Sequence, residues 1–337
     1  MNAKYVLAAG ATVFFAAIVT ALPARAAESA KAVEIWPKDS PELAGVKPED
    51  IPKLQLYPGP QSNQKKPAVL ITPGGGYKFY SNMAHYCQWL NGLGVAAYVV
   101  TYRLPGHGYK HPAPLHDAQR AMRIIRYNAE AWGLDPNRIG VLGNSSGGHL
   151  ASTLETHFDR GDKDAKDPVE RMSCRPDFAF LLSPVITMQG KYCHFYSRGR
   201  LLPPDPPKQL VGDLSNELQV TPDTPPTFLV AGGQDRLVPA ENSLMFFEAL
   251  RKNNVAFSEL HFFSHGGHGY TVPTDAEWFA IAETWLKRLG IIGDLFKDPN
   301  VKKAMTDKGA WSYDPKTRPD LSATPAGRIL GPTDGLR

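Results

Sequence analysis

The sequence predicts an α/β protein with a mainly parallel central sheet and helices on both faces. Two observations carry this. Short, near-continuous apolar runs recur along the chain, as strands covered on both sides require. Segments with i, i+3, i+4 apolar spacing lie between them, and that alternation is the pattern of a parallel sheet.

The elements follow in order. Residues 28–66 are rich in Pro and polar residues, with weak strand candidates at Val33–Trp36 and Leu54–Tyr57. Ala68 to Thr72 is the first strong strand, and it ends at Pro73-Gly74-Gly75-Gly76. Val95–Val100, Ile139–Leu142, Phe178–Leu182 and Thr227–Ala231 repeat the pattern, and Phe257–Phe263 alternates as an edge strand would. Ala118, Ala121, Met122, Ile125, Ala129 and Trp132 mark a helix, with Asp117 placed to cap its start. Leu244, Phe247 and Leu250 mark another after Pro239. Trp278, Ile281, Ala282, Trp285 and Leu289 mark the last, closed by Gly290. Residues 185–224 break the rhythm with Tyr192, Phe195, Tyr196 and the cluster Pro203-Pro204-Asp205-Pro206-Pro207. They read as an insertion over the C-terminal edge of the sheet, where ligand sites of such sheets lie. No internal repeat is present.

The N-terminus reads as a signal peptide. Lys4 precedes an uncharged stretch from Tyr5 to Leu22, and Ala24-Arg25-Ala26 fits a small-x-small cleavage site after Ala26. A retained membrane anchor is the alternative. The expected organisation is then a signal segment 1–26, an N-terminal extension 27–66, a catalytic domain 67–290 with its insertion, and a polar tail 291–337. The expected location is periplasmic or secreted, with no membrane association after cleavage.

Composition narrows the classes. The chain has 337 residues, 42% hydrophobic and 21% charged, which excludes a collagen, a coiled coil and a wholly disordered chain. Net charge is +4, without a run of five like charges, so nothing points to nucleic acid. Cys87, Cys174 and Cys193 are the only cysteines; three buried thiols is the preferred reading.

The chemistry converges on Ser145. Gly143-Asn144-Ser145-Ser146-Gly147 matches G-x-S-x-G between a buried strand and a helix, the context of a nucleophile elbow. The glycines permit the sharp turn, and a positive φ is expected at Ser145. Acyl transfer also needs an anion site. The Gly74-Gly75-Gly76 run after the first strand, with the N–H of Ser146 at a helix start, supplies the candidate donors. Acid and base should follow later strands in the order acid, then His. Asp235 follows the Thr227–Ala231 strand and His268 follows the strand ending at Phe263. His265 is the rival base and Glu241 the rival acid. His261 with His265, and His107 with His111, have a four-residue spacing, but the first pair starts on a strand and the second spans Gly108. No metal and no cofactor are expected.

These residues resemble the α/β-hydrolase carboxylesterases, especially the acetyl esterase/lipase branch with bacterial acetylxylan-esterase-like proteins. The resemblance covers about residues 67–290. It rests on Pro73-Gly74-Gly75-Gly76-Tyr77, Tyr102-Arg103-Leu104-Pro105, Trp132-Gly133-Leu134-Asp135-Pro136-Asn137-Arg138-Ile139, Gly143 to Ala151, Asp235 and Gly267-His268-Gly269. It implies a triad of Ser145, Asp235 and His268, with Gly75, Gly76 and Ser146 at the oxyanion. Two departures stand out. Pro73 precedes the glycines where many relatives have His, and Asn144 and Ser146 stand where the acetylxylan-esterase-like branch often has Phe and Ala. The Ser146 hydroxyl is expected to compete for hydrogen bonds at the site. Tyr77, Tyr102 and Arg103 have two readings: they shape a sugar-sized pocket with the aromatic insertion, or they pack in the core or rim. The expected function is an exported serine esterase removing short acyl groups, chiefly acetyl, from carbohydrate through an acyl-enzyme, and the expected partner is a small-molecule or oligosaccharide ester. Alternatives are an esterase or lipase on other esters, a related peptidase, and a non-catalytic carbohydrate-binding protein on the same fold.

Overall fold

The computed structural model describes residues 31–270 and 275–293. The expected signal segment and nearly all of the expected tail lie outside the described residues.

The strands are β1 (Lys31–Glu34), β2 (Lys53–Tyr57), β3 (Lys66–Thr72), β4 (Ala96–Thr101), β5 (Leu134–Asn144), β6 (Ala179–Leu182), β7 (Thr227–Gly232) and β8 (Glu259–Phe263). They form one sheet in the order β1-β2-β4-β3-β5-β6-β7-β8. The β1–β2 and β2–β4 pairs are antiparallel; all others are parallel. The two weak N-terminal candidates are therefore strands of the central sheet, and β1 starts two residues before the Val33 expected for it.

Two interleaved sets of side chains cover the two faces, as the two-residue strand repeat requires. Leu70, Tyr98, Val141, Leu181 and Leu229 face α2 (Ala113–Tyr127), α3 (Ser145–Thr156) and α6 (Glu241–Lys252). Ile71, Val99, Leu142, Phe180 and Val230 face α1 (Ala84–Gly92) and α7 (Asp275–Arg288). On that second face, Trp285 meets Phe180 edge-on at 5.2 Å and Phe228 at 5.4 Å. The 185–224 segment carries two short helices, α4 (Phe195–Leu201) and α5 (Lys208–Asp213).

The chain leaves β3 for β4 on one side, then returns through α2 to β5 on the other side of β3. Connections that diverge in this way leave a crevice at the carboxyl ends of the strands. The loop after β3 and the turn after β5 meet there, with Thr72 paired to Gly143.

Two local expectations change. Helix α2 begins at Ala113, so Asp117 is an interior residue and not its cap. Its carboxylate is buried and takes Arg103 in a bidentate pair, Nε–Oδ2 2.9 Å and Nη2–Oδ1 2.8 Å, with Trp36 Nε1 on Oδ1 at 2.7 Å. Trp132 lies beyond the helix and stacks on Tyr98 at 5.3 Å. The three cysteines are buried free thiols.

Candidate active site

Ser145 sits at the first residue of α3, directly after β5, with φ at 54°. This left-handed backbone costs a non-glycine residue about 1–3 kcal/mol and persists only where surroundings enforce it. The enforcement is close packing. A Cβ on Gly143 would lie 2.2 Å from the Gly147 carbonyl oxygen, and one on Gly147 would lie 2.0 Å from the Thr72 oxygen. Only glycine allows the elbow to press against β3 this tightly. The Ser145 carbonyl in turn accepts from the Val185 N–H at 2.9 Å.

Asp235 lies in the turn after β7, and His268 lies in a short 3₁₀ turn after β8. His268 Nε2 is 2.9 Å from Ser145 Oγ, and His268 Nδ1 is 2.8 Å from Asp235 Oδ2. A carboxylate can only accept, so Nδ1 carries the proton and Nε2 is left to accept from the serine. The side chains of Asp235 and His268 are 2% and 22% exposed; the acid is sealed while the imidazole keeps an open edge. The other carboxylate oxygen, Oδ1, accepts from Leu237 N–H and Val238 N–H, both at 2.9 Å. Burial pushes the Asp235 carboxyl up, but hydrogen bonds from His268, Val238 and Leu237 outweigh it and hold the group below its ordinary value. A fixed negative charge therefore stands behind the imidazole.

The rivals stand elsewhere. His265 is half exposed and 3.6 Å from Glu277. Glu241 opens α6, and Asp235, not Glu241, holds the imidazole. His261 meets Glu259 and His107 meets Asp50. No group of three metal-ligating side chains occurs among the described residues.

The glycine loop after β3 faces the elbow. Gly75, Gly76 and Tyr77 have consecutive positive φ values of 118°, 61° and 60°. A Cβ on Gly74 would come within 3.1 Å of the Ser145 Cβ, so the loop backbone lies directly against the serine. The N–H groups of Gly75, Gly76 and Ser146 have no hydrogen-bond partner among the described residues. Unpaired donors beside a serine, one of them at a helix start, can receive a developing oxyanion.

The surroundings decide two further points. Tyr77, Tyr102 and Arg103 are buried, so they do not line an open pocket. The Tyr77 hydroxyl bonds His149 Nδ1 at 2.8 Å, and the Tyr102 hydroxyl donates to the Pro73 carbonyl at 2.8 Å. His149 is itself wholly buried, and burial pushes its imidazole down to about 4, so it is neutral at ordinary pH. The Ser146 hydroxyl does not compete at the oxyanion position; it accepts from the Tyr77 N–H at 3.1 Å. Asn144 also turns to the loop, accepting from the Gly74 N–H at 2.8 Å. Sequence reasoning flagged Asn144 only as a departure, did not foresee the contact of the Ser146 hydroxyl with the loop, and missed Arg200, whose Nη1 donates to the Gly76 carbonyl at 3.1 Å. No local signal could have linked two residues so far apart in the chain.

A mostly parallel sheet with an elbow serine, a histidine and a carboxylate in line defines the serine-hydrolase type of site on an α/β-hydrolase fold. The comparisons agree. The BD-FAE family model matches residues 54–177, and that of the prolyl oligopeptidase family matches residues 180–290. A solved acetyl ester-xyloside bifunctional hydrolase from Caldicellulosiruptor lactoaceticus is 43% identical, with TM-score 0.74; the match covers 78% of this chain and 98% of that one. An acetylxylan esterase of Xylanibacter ruminicola is 34% identical over 71% of this chain and 47% of its own length. Endo-1,4-beta-xylanase B of Butyrivibrio fibrisolvens is 36% identical over 68% of this chain and 36% of its own length. The match thus spans less than half of either of these two curated relatives. The chain belongs to the α/β-hydrolase carboxylesterases, in the acetyl esterase branch that includes acetylxylan-esterase-like proteins.

Proposed function

We propose that this protein is an exported serine carboxylesterase that removes short acyl groups, chiefly acetyl, from carbohydrate. The observation that carries the reading is the unbroken chain Ser145 Oγ–His268 Nε2–Asp235 Oδ2, at 2.9 and 2.8 Å, beside three N–H groups with no partner among the described residues.

In this reading Ser145 Oγ attacks the ester carbonyl while His268 Nε2 takes its proton. Asp235 keeps the imidazole in the required tautomer and stabilises the imidazolium. The carbonyl oxygen becomes an oxyanion held by the N–H groups of Gly75, Gly76 and Ser146, each worth roughly a hundred- to thousand-fold in rate. His268 returns the proton to the departing alcohol, leaving acylated Ser145. Water, deprotonated by His268, then releases the acid and restores the serine. No cofactor is needed.

Acetylated xylan-type glycans are supported as substrates by the names of the two relatives cited for acetyl-ester chemistry. Export is supported by Lys4, the uncharged Tyr5–Leu22 stretch and Ala24-Arg25-Ala26.

The test is hydrolysis of 4-nitrophenyl esters with Ser145→Ala as control. The account expects Ser145→Ala to lose about 10⁴-fold or more in turnover. It also expects acetyl to be preferred to octanoyl, and peptidyl arylamides to be left intact. Near-normal esterase activity in Ser145→Ala would remove the assignment.

A further inference from the structure

The peptide group joining Gly76 to Tyr77 is held at both ends by side chains. Its carbonyl, on Gly76, accepts from Arg200 Nη1 at 3.1 Å, and its N–H, on Tyr77, donates to Ser146 Oγ at 3.1 Å. The preceding peptide is held as well, since the Gly75 carbonyl accepts from the Lys78 N–H at 3.0 Å. Both peptide planes flanking Gly76 are therefore fixed. That matters at a glycine, whose φ and ψ are otherwise the least restricted of any residue. It matters more here because the Gly76 N–H has no partner among the described residues and belongs to the loop that lies against Ser145 at Gly74.

Arg200 comes from outside the sheet. It lies on α4 of the insertion, over the ring of Tyr196 at 5.8 Å. Lys110 Nζ anchors the C-terminal end of α4 by donating to the carbonyls of Arg200 at 2.9 Å and Leu202 at 2.8 Å. The His111 N–H adds a bond to the Leu201 carbonyl at 3.0 Å. The guanidinium is thus presented from a tethered helix.

We propose that Arg200 and the Ser146 hydroxyl are positioning residues for the oxyanion site. Together they lock the 76–77 peptide on one side of Gly76, while the Lys78 N–H holds the 75–76 peptide that carries the Gly76 N–H, and the two restraints keep that N–H aimed at the developing oxyanion. The inference rests on the Ser145 esterase reading and deepens it. Preorganised donors act because they need no reorientation as charge develops. Loosening one should therefore weaken transition-state binding more than substrate binding.

The test compares Arg200→Ala, Arg200→Lys and Ser146→Ala with the wild type on 4-nitrophenyl acetate. Ser146→Ala keeps the backbone donor and removes only the hydroxyl. The second readout is the inhibition constant of an aryl trifluoromethyl ketone. Ser145 Oγ adds to the ketone carbonyl, its proton passes to His268, and the new oxyanion enters the site. Arg200→Ala and Ser146→Ala should each lower kcat about tenfold or more with little change in KM. The ketone should lose affinity by the same factor as kcat/KM falls, and Arg200→Lys should recover part of both. Melting temperatures report folding separately. Unchanged kcat in folded Arg200→Ala and Ser146→Ala, with Ser145-dependent activity in the wild type, would overturn this inference alone. A fall in kcat with unchanged ketone affinity would also overturn it, because a structural defect would then be acting elsewhere. Wild-type protein without Ser145-dependent turnover would remove the esterase reading, and this inference with it.

Discussion

Glu155 is a wholly buried carboxyl on α3, one residue from the end opposite Ser145. Its Oε2 meets the Thr227 hydroxyl at 2.8 Å, while Oε1 has no hydrogen-bond partner. Burial pushes the group well above its ordinary value near 4.5. A carboxyl raised on folding makes the native state bind the extra proton. Its contribution to stability is therefore full below about pH 4.5 and is lost as pH rises towards the folded value. Glu155→Gln removes that loss. The melting temperature of Glu155→Gln relative to wild type should rise from pH 4.5 to pH 8, and a difference independent of pH would contradict the account. At this scale the sequence was most informative where chemistry constrains residue type and chain order together. Ser145, Asp235 and His268 were legible because each follows a strand and only one order of acid and base suits the elbow. The roles of Asn144, Ser146 and Arg200 were not, because each depends on which loop atom lies opposite in three dimensions.

The antiparallel edge of the sheet is tied to the helix layer by one buried ion pair. Arg103, just past β4, grips Asp117 of α2 and also reaches Glu42, with Nη2 on Oε2 at 2.7 Å and Nη1 on the Glu42 carbonyl at 2.6 Å. The side chains of Arg103 and Asp117 are 6% and 0% exposed. Breaking such a pair from one side leaves a buried charge without its partner, at a cost of about 3–5 kcal/mol. Asp117→Asn should lose stability on that scale in urea unfolding, with kcat on 4-nitrophenyl acetate unchanged in the folded protein. A loss under about 1 kcal/mol would show the pair to be dispensable. The same residue explains a misplaced boundary. Asp117 before an apolar repeat reads as a cap, and the preceding Ala113-Pro114-Leu115-His116 carries no helical repeat of its own. The parallel strands were legible because burial on both faces demands apolar runs. β1 and β2 were faint because Lys31, Glu34 and Lys53 put charge on an exposed edge.

For the whole molecule, connectivity places the chemistry. The reversal of direction around β3 opens one crevice, and the glycine loop and the elbow are the two segments that border it. The loops after β7 and β8 then bring Asp235 and His268 to Ser145 from the same sheet edge. This arrangement was readable from the alternation of elements and the order of motifs. The seating of the 185–224 insertion was not, since its irregular, proline-rich sequence has no period from which to place α4. That insertion carries the exposed aromatic side chains Phe195 and Tyr196, and the Tyr196 ring lies under Arg200, which donates to the Gly76 carbonyl.

The central claim is that Ser145 deacetylates carbohydrate, and acetate release tests it most directly. Purified protein would be incubated with acetylated xylan and with a panel of acetylated oligosaccharides, with Ser145→Ala in parallel. The account predicts acetate release from at least one glycan class by the wild type and none above background by Ser145→Ala. Cleavage of 4-nitrophenyl acetate through Ser145 with no acetate released from any glycan would contradict the carbohydrate assignment, and equal release by Ser145→Ala would contradict the mechanism.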